Sequence, residues 1–357
     1  METVSYKCIN CDAPLQFDPK QQKFVCEFCR SEFAETELAD YFSKLEKKLD
    51  QEHKKEPEQV SDDDFSSYAA VYVCQSCGAE VITEKNTAAT FCVFCHNPVM
   101  ISNRMAGNFK PNRVIPFMIS EQDAKQKFLD FCAKKKFLPK DFVSGAQLDM
   151  MKGVYYPYWL VDSLKIGGIR ATAKKKRTWR EGDFEFEETK IYRVIRNGTI
   201  DFRDYPHTAL KSDENLKALK YVNPYDDKDY RPFMMSYLSG FLAEKRDLER
   251  QDVQNEVDNE LADYAKRIYS DSISGYDSVS IDDMRLSTRR ESWDYALLPV
   301  WLMTFDYNGQ KYLYAMNGQT GKNFGELPID KKKLAAFGIG MFIGLLLICL
   351  LGGYFLL

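Results

Sequence analysis

Eight of the ten cysteines fall into four CxxC pairs, and this pattern constrains the fold of the chain more than any other feature. Each pair can place two sulfurs on one tight turn, so two pairs supply the four thiolates of a tetrahedral metal site. The pairs form two sets, each with fourteen residues between its pairs, and the sets are offset by 66 positions. The predicted metal ligands are Cys8, Cys11, Cys26 and Cys29 in the first set and Cys74, Cys77, Cys92 and Cys95 in the second.

We expect each set to hold one structural Zn²⁺ ion. Four thiolates fill the coordination shell, whereas a catalytic zinc keeps one position open for water. Modules of about thirty residues bury too little apolar surface to fold alone, and structural zinc supplies about 10–16 kcal/mol of folding free energy in such peptides. The spacing therefore predicts a stabilising role for both ions. The chain shows no N-terminal signal peptide, so we expect reduced thiols in a cytoplasmic location.

The order of patterns along the chain predicts an α+β multi-domain protein. The stretch between the cysteine sets is rich in Glu, Asp and Lys, which is typical of a short helix and a linker. After the second set, helical and strand-like patterns alternate. The predicted segments are zinc ribbon 1 at 1–33, a helical and charged linker at 34–70, zinc ribbon 2 at 71–102, a mixed α+β domain at 103–330 and a transmembrane helix at 334–357.

The mixed domain contains a second, weaker repeat. Pro157 and Trp159 match Pro299 and Trp301 at an offset of 142. Each block follows a helical pattern and opens a strand-like run, so we expect two related units at about 104–205 and 235–330. Large aromatic side chains usually pack inside a fold, and we expect both tryptophans in the core.

Two helices and two turns can be placed in this domain. The first helix is predicted over 121–135, behind Ser120 and Asp123 at capping-box spacing. The second is marked by an apolar stripe with helical spacing. The residues of this stripe are Val253, Val257, Leu261, Tyr264 and Ile268. Asn308-Gly309 and Asn317-Gly318 indicate tight turns between strands.

The last 23 residues, 335–357, carry no charge and predict one membrane-spanning helix. Three lysines, 331–333, precede it, so the positive-inside rule places the N-terminal domains in the cytoplasm and the C-terminus at the outer face of the cell membrane. Ala336, Gly340 and Gly344 are spaced by four, as in membrane helices that approach closely. We expect these residues to pack against a second helix, so that the chain can form an oligomer.

Charge and motifs narrow the function classes. The formal net charge is −4, whereas nucleic-acid-binding domains are usually basic. The run from Lys174 to Arg180 is the best basic candidate, but a hairpin turn at Glu181-Gly182 would pair Lys175 and Lys176 with glutamates on a solvated ribbon. We find no GxSxG, HExxH or dinucleotide fingerprint in the sequence, which favours a binding protein over an enzyme.

The sequence blocks YKCINC with CEFC, YVCQSC with CVFC, YYPYWL, LLPVWL and NGQTGK resemble membrane-anchored TFIIB-type zinc-ribbon proteins of Gram-positive bacteria. The resemblance covers nearly the whole chain. It implies a scaffold that works in the response to envelope stress, beside phage-shock protein A, an SPFH (flotillin-like) protein and a membrane co-subunit. The eight paired cysteines carry over as metal ligands.

Three functions follow as hypotheses. The first is a zinc-ribbon scaffold that binds protein partners at the lipid bilayer. The second is a membrane-tethered nucleic-acid-binding protein that acts in replication or transcription. The third, an enzyme such as a hydrolase, has the least support from the residues.

Overall fold

A computed structural model gives the fold. It describes residues 3–4, 6–38, 40–41, 44, 69–74, 79–84, 86–92, 98–101, 109–139, 142, 148–211 and 216–356, with side chains to residue 347 in the last helix. The strands are β1 Thr3–Val4, β2 Gln16–Asp18, β3 Lys23–Val25, β4 Glu32–Phe33, β5 Ala69–Val73, β6 Glu80–Glu84, β7 Thr87–Phe91, β8 Pro98–Ile101, β9 Arg113–Val114, β10 Lys152–Glu181, β11 Phe184–Thr208, β12 Arg231–Pro232, β13 Leu242–Glu244, β14 Ser278–Tyr307, β15 Gln310–Asn317 and β16 Asn323–Gly325. The helices are α1 Glu121–Ala133, α2 Leu216–Val222, α3 Arg250–Asp271 and α4 Lys331–Leu356.

The main sheet is built around three long strands. β10 lies in the centre and pairs antiparallel with β11 on one side and β14 on the other. The rest of the sheet continues in the order β1-β8-β7-β13-β10-β14-β15-β16, so strands of the second cysteine module join the sheet of the central domain through β13. The first module has a small sheet of its own, β2-β3-β4.

The predicted fold class is wrong in two respects. Strands make up most of the regular structure, so the chain is mainly a sheet protein. The transmembrane helix predicted at 334–357 is also not supported. Among the residues that the structure describes, no helix is both long and apolar enough to cross a bilayer.

A helix that crosses a bilayer needs about 20 consecutive apolar residues to cover ~30 Å of hydrocarbon. Over the part of α4 whose side chains the structure describes, the uncharged stretch covers residues 334–347, which is about 21 Å of helix. The predicted single-pass location, with the C-terminus at the outer face, is therefore wrong too. Ala336, Gly340 and Gly344 do lie on α4, but their predicted role in membrane-helix packing loses its basis.

The helix predictions hold in outline and differ in detail. α1 begins behind Ser120, whose hydroxyl accepts a hydrogen bond from the Asp123 backbone N–H at 3.2 Å, as the capping-box pattern predicts. α3 buries a stripe whose members are all four residues apart. They are Val253, Val257, Leu261, Ala265 and Tyr269. The predicted Tyr264 and Ile268 are instead about half exposed.

The turn predictions are mixed. Asn308 and Gly309 both have positive φ and form the two-residue turn between β14 and β15, as predicted. The β10–β11 turn is Gly182-Asp183, so Arg177, not Lys175, lies opposite Glu188. The register therefore differs by two residues from the prediction, which keeps every side chain on its predicted face. Lys176 Nζ still contacts Glu187 Oε1 diagonally at 2.9 Å.

Both predicted core tryptophans are buried, Trp159 on β10 and Trp301 on β14. The Trp159 indole N–H donates to the Leu248 carbonyl, and the Trp301 indole N–H donates to the Ile119 carbonyl, each at 3.0 Å. Each acceptor lies two residues before a helix, α3 or α1. Tryptophans at matching places therefore hold the starts of two helices in the same way.

The strand pairings also connect the two predicted units, because a short strand of each unit pairs with the long strand of the other. β9 pairs parallel with β14, and β13 pairs parallel with β10. Each short strand thus precedes the helix of one unit and joins the long strand of the other. This arrangement accords with the predicted repeat, which remains a prediction.

Candidate metal centre

The first four cysteines converge at one end of the β2-β3-β4 module. The Cys8 and Cys29 sulfurs are 3.6 Å apart, the Cys11 and Cys26 sulfurs are 3.5 Å apart, and all four lie within 4.8 Å of one another. A tetrahedral ion with metal–sulfur bonds of about 2.3 Å requires sulfurs about 3.8 Å apart. The cluster therefore fits a four-thiolate metal ion, and residues that the sequence separates by fourteen positions come together as predicted.

The two turns that carry these sulfurs have the same backbone geometry. The Cys8 N–H donates to the Ala13 carbonyl at 2.7 Å, and the Cys26 N–H donates to the Ser31 carbonyl at 3.0 Å. The residue after each second cysteine, Asp12 or Arg30, has φ of 59°. Each CxxC pair thus closes a tight loop, and this local closure explains why the spacing predicts the site.

Burial and hydrogen bonding divide the four thiols into two kinds. Cys8 and Cys26 are buried, and Cys11 and Cys29 are exposed. The Ser31 hydroxyl and backbone lower the pKa of the Cys29 thiol to about 6. A backbone bond to Ala13 favours the Cys11 thiolate, but the Cys29 thiol and the other neighbouring thiols raise the pKa of Cys11 to about 12. Metal binding would release the protons that such a cluster retains.

The second set is described only in part. Cys74 and Cys92 are buried and pack with Val81 and Val99. The Cys74 N–H donates to the Ala79 carbonyl at 2.8 Å, which repeats the bond from Cys8 to Ala13 in the first set. Cys77 and Cys95 lie outside the described residues, so the second four-cysteine site remains a prediction. Most of the predicted linker at 34–70 also lies outside the described residues, so the linker stays a prediction.

The first module packs against the central domain. The Phe17 ring contacts Phe24 and Tyr237 edge to face at centroid distances of 5.4 and 5.2 Å. The Phe17 N–H donates to the Ser239 carbonyl at 3.2 Å, and the Gln22 side chain donates to the Phe117 carbonyl at 2.8 Å. These contacts fix the module against the central domain and leave Cys11 and Cys29 exposed.

Two apolar side chains project from these turns. Ile9, inside the first CxxC pair, is 54% exposed, and Phe28, inside the second, is 76% exposed. Sequence reasoning assigned no role to either residue, although an apolar side chain in both knuckles is visible in the sequence. Both side chains lie on turns whose sulfurs are within 4.8 Å of one another, and exposed apolar groups collected at one site often mark a contact surface. We call Ile9 and Phe28 the knuckle pair.

A histidine group that sequence reasoning missed also lies in the described part of the chain. His207 on β11 approaches Glu256 and Glu260 on α3, and these three residues could hold a metal ion. They lie far apart in the sequence. The spacing of the two glutamates by four, which puts them on one helix face, was the available signal.

One comparison with known proteins is informative. The chain is 32% identical to the uncharacterized protein YdjG of Bacillus subtilis (strain 168) over 354 residues, which cover 98% of each chain. No family model and no solved structure matches the chain.

Proposed function

We propose that this chain, which belongs to the family of the Bacillus subtilis protein YdjG, is a protein-binding adaptor whose first module is stabilised by zinc. The knuckle pair is the observation that carries the proposal. Two apolar side chains remain exposed on turns that a bound ion would hold rigid. A rigid apolar pair loses little conformational entropy when a partner covers it, which favours binding.

Zinc is the ion that this donor set fits best. Thiolates are soft ligands, and a tetrahedral set of four selects zinc or iron–sulfur chemistry over magnesium, calcium or manganese. Cys8, Cys11, Cys26 and Cys29 would hold the ion and leave no ligand position for water. The ion would supply folding free energy, and the chemistry of the site would be structural.

The charges around the knuckle pair favour a protein partner over nucleic acid. Three of the four cations in the described part of the module, all except Arg30, face carboxylates instead of forming a free basic stripe. Lys7 lies 3.0 Å from Asp12, Lys23 lies 3.1 Å from Glu32, and Lys20 lies 3.2 Å from Asp123. Phosphate binding needs cations that exchange small counterions for phosphates.

The resemblance found in the sequence suggests which proteins to test first. They are an SPFH (flotillin-like) protein and phage-shock protein A. Both would contact the adaptor through the knuckle pair, with the central domain serving as the rigid support.

Site-specific photo-crosslinking tests this proposal. A benzoylphenylalanine placed at Phe28 should crosslink to a partner protein in cells. The matched control carries the same group at Phe184, which is 73% exposed at the far β10–β11 turn. Zinc content measured on both proteins shows that the module has folded. Equal crosslinking from both positions, or none from position 28 in zinc-loaded protein, contradicts the proposal.

Salt dependence tests the nucleic-acid alternative. Binding through phosphates weakens steeply as salt increases, and it is strongest at low salt. We expect no binding of single- or double-stranded DNA or RNA at low salt. Binding that disappears as salt increases would instead favour the nucleic-acid-binding function.

A further inference from the structure

His207 lies between two glutamates with both ring nitrogens directed at carboxylates. The side chain is 4% exposed. Its Nδ1 lies 3.1 Å from Glu260 Oε2, and its Nε2 lies 3.8 Å from Glu256 Oε2. A histidine so deeply buried has its ring orientation fixed by these contacts.

The contact with Glu260 sets the tautomer of the ring. An ionised carboxylate only accepts hydrogen bonds, so Nδ1 carries the proton and donates it. The Tyr205 hydroxyl donates to the same Glu260 oxygen at 2.7 Å, which fixes that carboxylate in turn. In metal-binding histidines, one ring nitrogen binds the metal and the other usually donates its N–H to a carboxylate, which orients the ring.

The other nitrogen then faces a second acceptor. With the proton on Nδ1, Nε2 presents a lone pair to Glu256 Oε2 across 3.8 Å, which is too long for a hydrogen bond. Two metal–ligand bonds of about 2.1 Å span up to about 4.2 Å, so one ion fits between these atoms. Glu256 is 59% exposed, which leaves a path for the ion from solvent.

A cavity of about 470 Å³ adjoins the group. His207, Glu260 and Lys220 form part of its wall, together with the aromatic rings of Tyr158 and Tyr264. The cavity has room for water or a small anion next to His207, whereas Glu256 lies outside its wall and is exposed to solvent.

We propose that His207 Nε2 and Glu256 bind a divalent first-row transition-metal ion, with Glu260 as the residue that positions the imidazole. Imidazole and carboxylate together suit zinc, manganese, iron and nickel. The site is separate from the four-cysteine cluster and does not depend on the adaptor function. Lys220 Nζ approaches Glu260 Oε1 at 3.6 Å and Glu256 Oε1 at 3.9 Å. This exposed ammonium competes with the ion.

Manganese binding to zinc-loaded full-length protein tests the site. Thiolates that already hold zinc do not take up Mn²⁺, a harder ion that prefers oxygen and nitrogen ligands. Electron paramagnetic resonance counts the free Mn²⁺ during a titration. We expect one bound Mn²⁺ per chain, and loss of that binding in His207→Ala and Glu256→Gln.

Three further variants distinguish the metal ligands from a positioning residue, from a competing cation and from a general effect of negative charge. Glu260→Gln should weaken Mn²⁺ binding roughly 10- to 100-fold, as loss of a supporting carboxylate does. Lys220→Met should strengthen it about two- to fivefold, since one exposed ion pair is lost. Asp271→Asn removes an exposed carboxylate at the end of the same helix and should leave binding unchanged.

Two outcomes would overturn the proposal. The first is wild-type protein that binds no Mn²⁺ and no added Zn²⁺ beyond its cysteine sites. The second is a folded His207→Ala protein, with unchanged circular dichroism, that binds Mn²⁺ as tightly as the wild type.

Discussion

The indole nitrogens of Trp159 and Trp301 show how single side chains fix the central domain. Each donates to a carbonyl just before a helix, where the backbone has left one element and not yet entered the next. Trp301 also packs edge to face on Phe117, with ring centroids 5.0 Å apart. The side chain therefore combines apolar packing with a directional bond.

Replacing Trp301 with phenylalanine tests this combination. The variant leaves the Ile119 carbonyl without its donor and leaves space beside Phe117. We expect a loss of about 1–3 kcal/mol in the free energy of unfolding. Urea denaturation followed by circular dichroism measures it. Trp179→Phe, at a side chain that is 41% exposed, is the control and should change stability by less than about 0.5 kcal/mol. Equal midpoints for Trp301→Phe and wild type would contradict this account.

The long ribbon of β10, β11 and β14 needs glycine where its strands approach most closely. A Cβ atom on Gly167 would lie 1.9 Å from the Arg285 carbonyl oxygen of β14. A Cβ on Gly198 of β11 would find its nearest neighbour at 3.9 Å, an ordinary contact. The two glycines lie opposite each other in the ribbon, so they form a matched pair.

We expect Gly167→Ala to destabilise the protein by about 1–3 kcal/mol, because the backbone of β14 has to move. Gly198→Ala should be neutral or slightly stabilising, since glycine weakens a strand interior. Thermal unfolding of both variants beside the wild type measures the difference. Similar unfolding midpoints for the two variants would contradict the close approach of β10 and β14.

An ion pair joins α3 to the same ribbon. Lys165 on β10 is buried, and its Nζ lies 2.6 Å from Asp258 Oδ1 on α3. Burial opposes ionisation of Asp258, but the hydrogen bond and charge of Lys165 hold the pKa of this carboxyl below its ordinary value of 3.8. A carboxyl with a lowered pKa stabilises the fold above its unfolded pKa, and this contribution disappears as pH falls through the folded pKa.

Asp258→Asn should therefore lower the urea midpoint at pH 7, and its difference from wild type should shrink below about pH 3.8. Asp271→Asn, at an exposed carboxylate of the same helix, is the control and should show no such pH dependence. A difference that stays constant from pH 7 to pH 3 would show that Asp258 does not act through its charge.

The elements were predictable where the determining contacts are local. The cysteine spacing predicted the first metal site because each pair forms one turn, and Ser120 with Asp123 predicted the start of α1. The buried stripe of α3 was predicted correctly only to Leu261. Residues four apart are rotated by about 40° around a helix, so a buried stripe made only of such steps winds around the helix axis. The stripe of α3 winds in this way as it follows the twisted sheet, whereas the prediction assumed a straight stripe. The spacing of Glu256 and Glu260 places them on one helix face, but the sequence could not add His207 to them, because only the folded chain brings β11 to α3.

Across the whole molecule, the first module packs directly against the central domain. Its Phe17 and Phe24 share one apolar core with Tyr237. The four sulfurs stabilise the two cysteine turns of this module, and the apolar core stabilises the part that contacts the central domain. The knuckle pair is consequently presented on a rigid support, which is what an adaptor surface requires.

The four-thiolate zinc centre is the claim on which this account depends most. Zinc X-ray absorption on protein purified without added metal and then dialysed tests it most directly. We predict two zinc ions per chain, each with four sulfur neighbours at about 2.3 Å, and loss of one ion in Cys26→Ser. Protein that keeps no metal, or zinc bound mainly by nitrogen and oxygen, would contradict it.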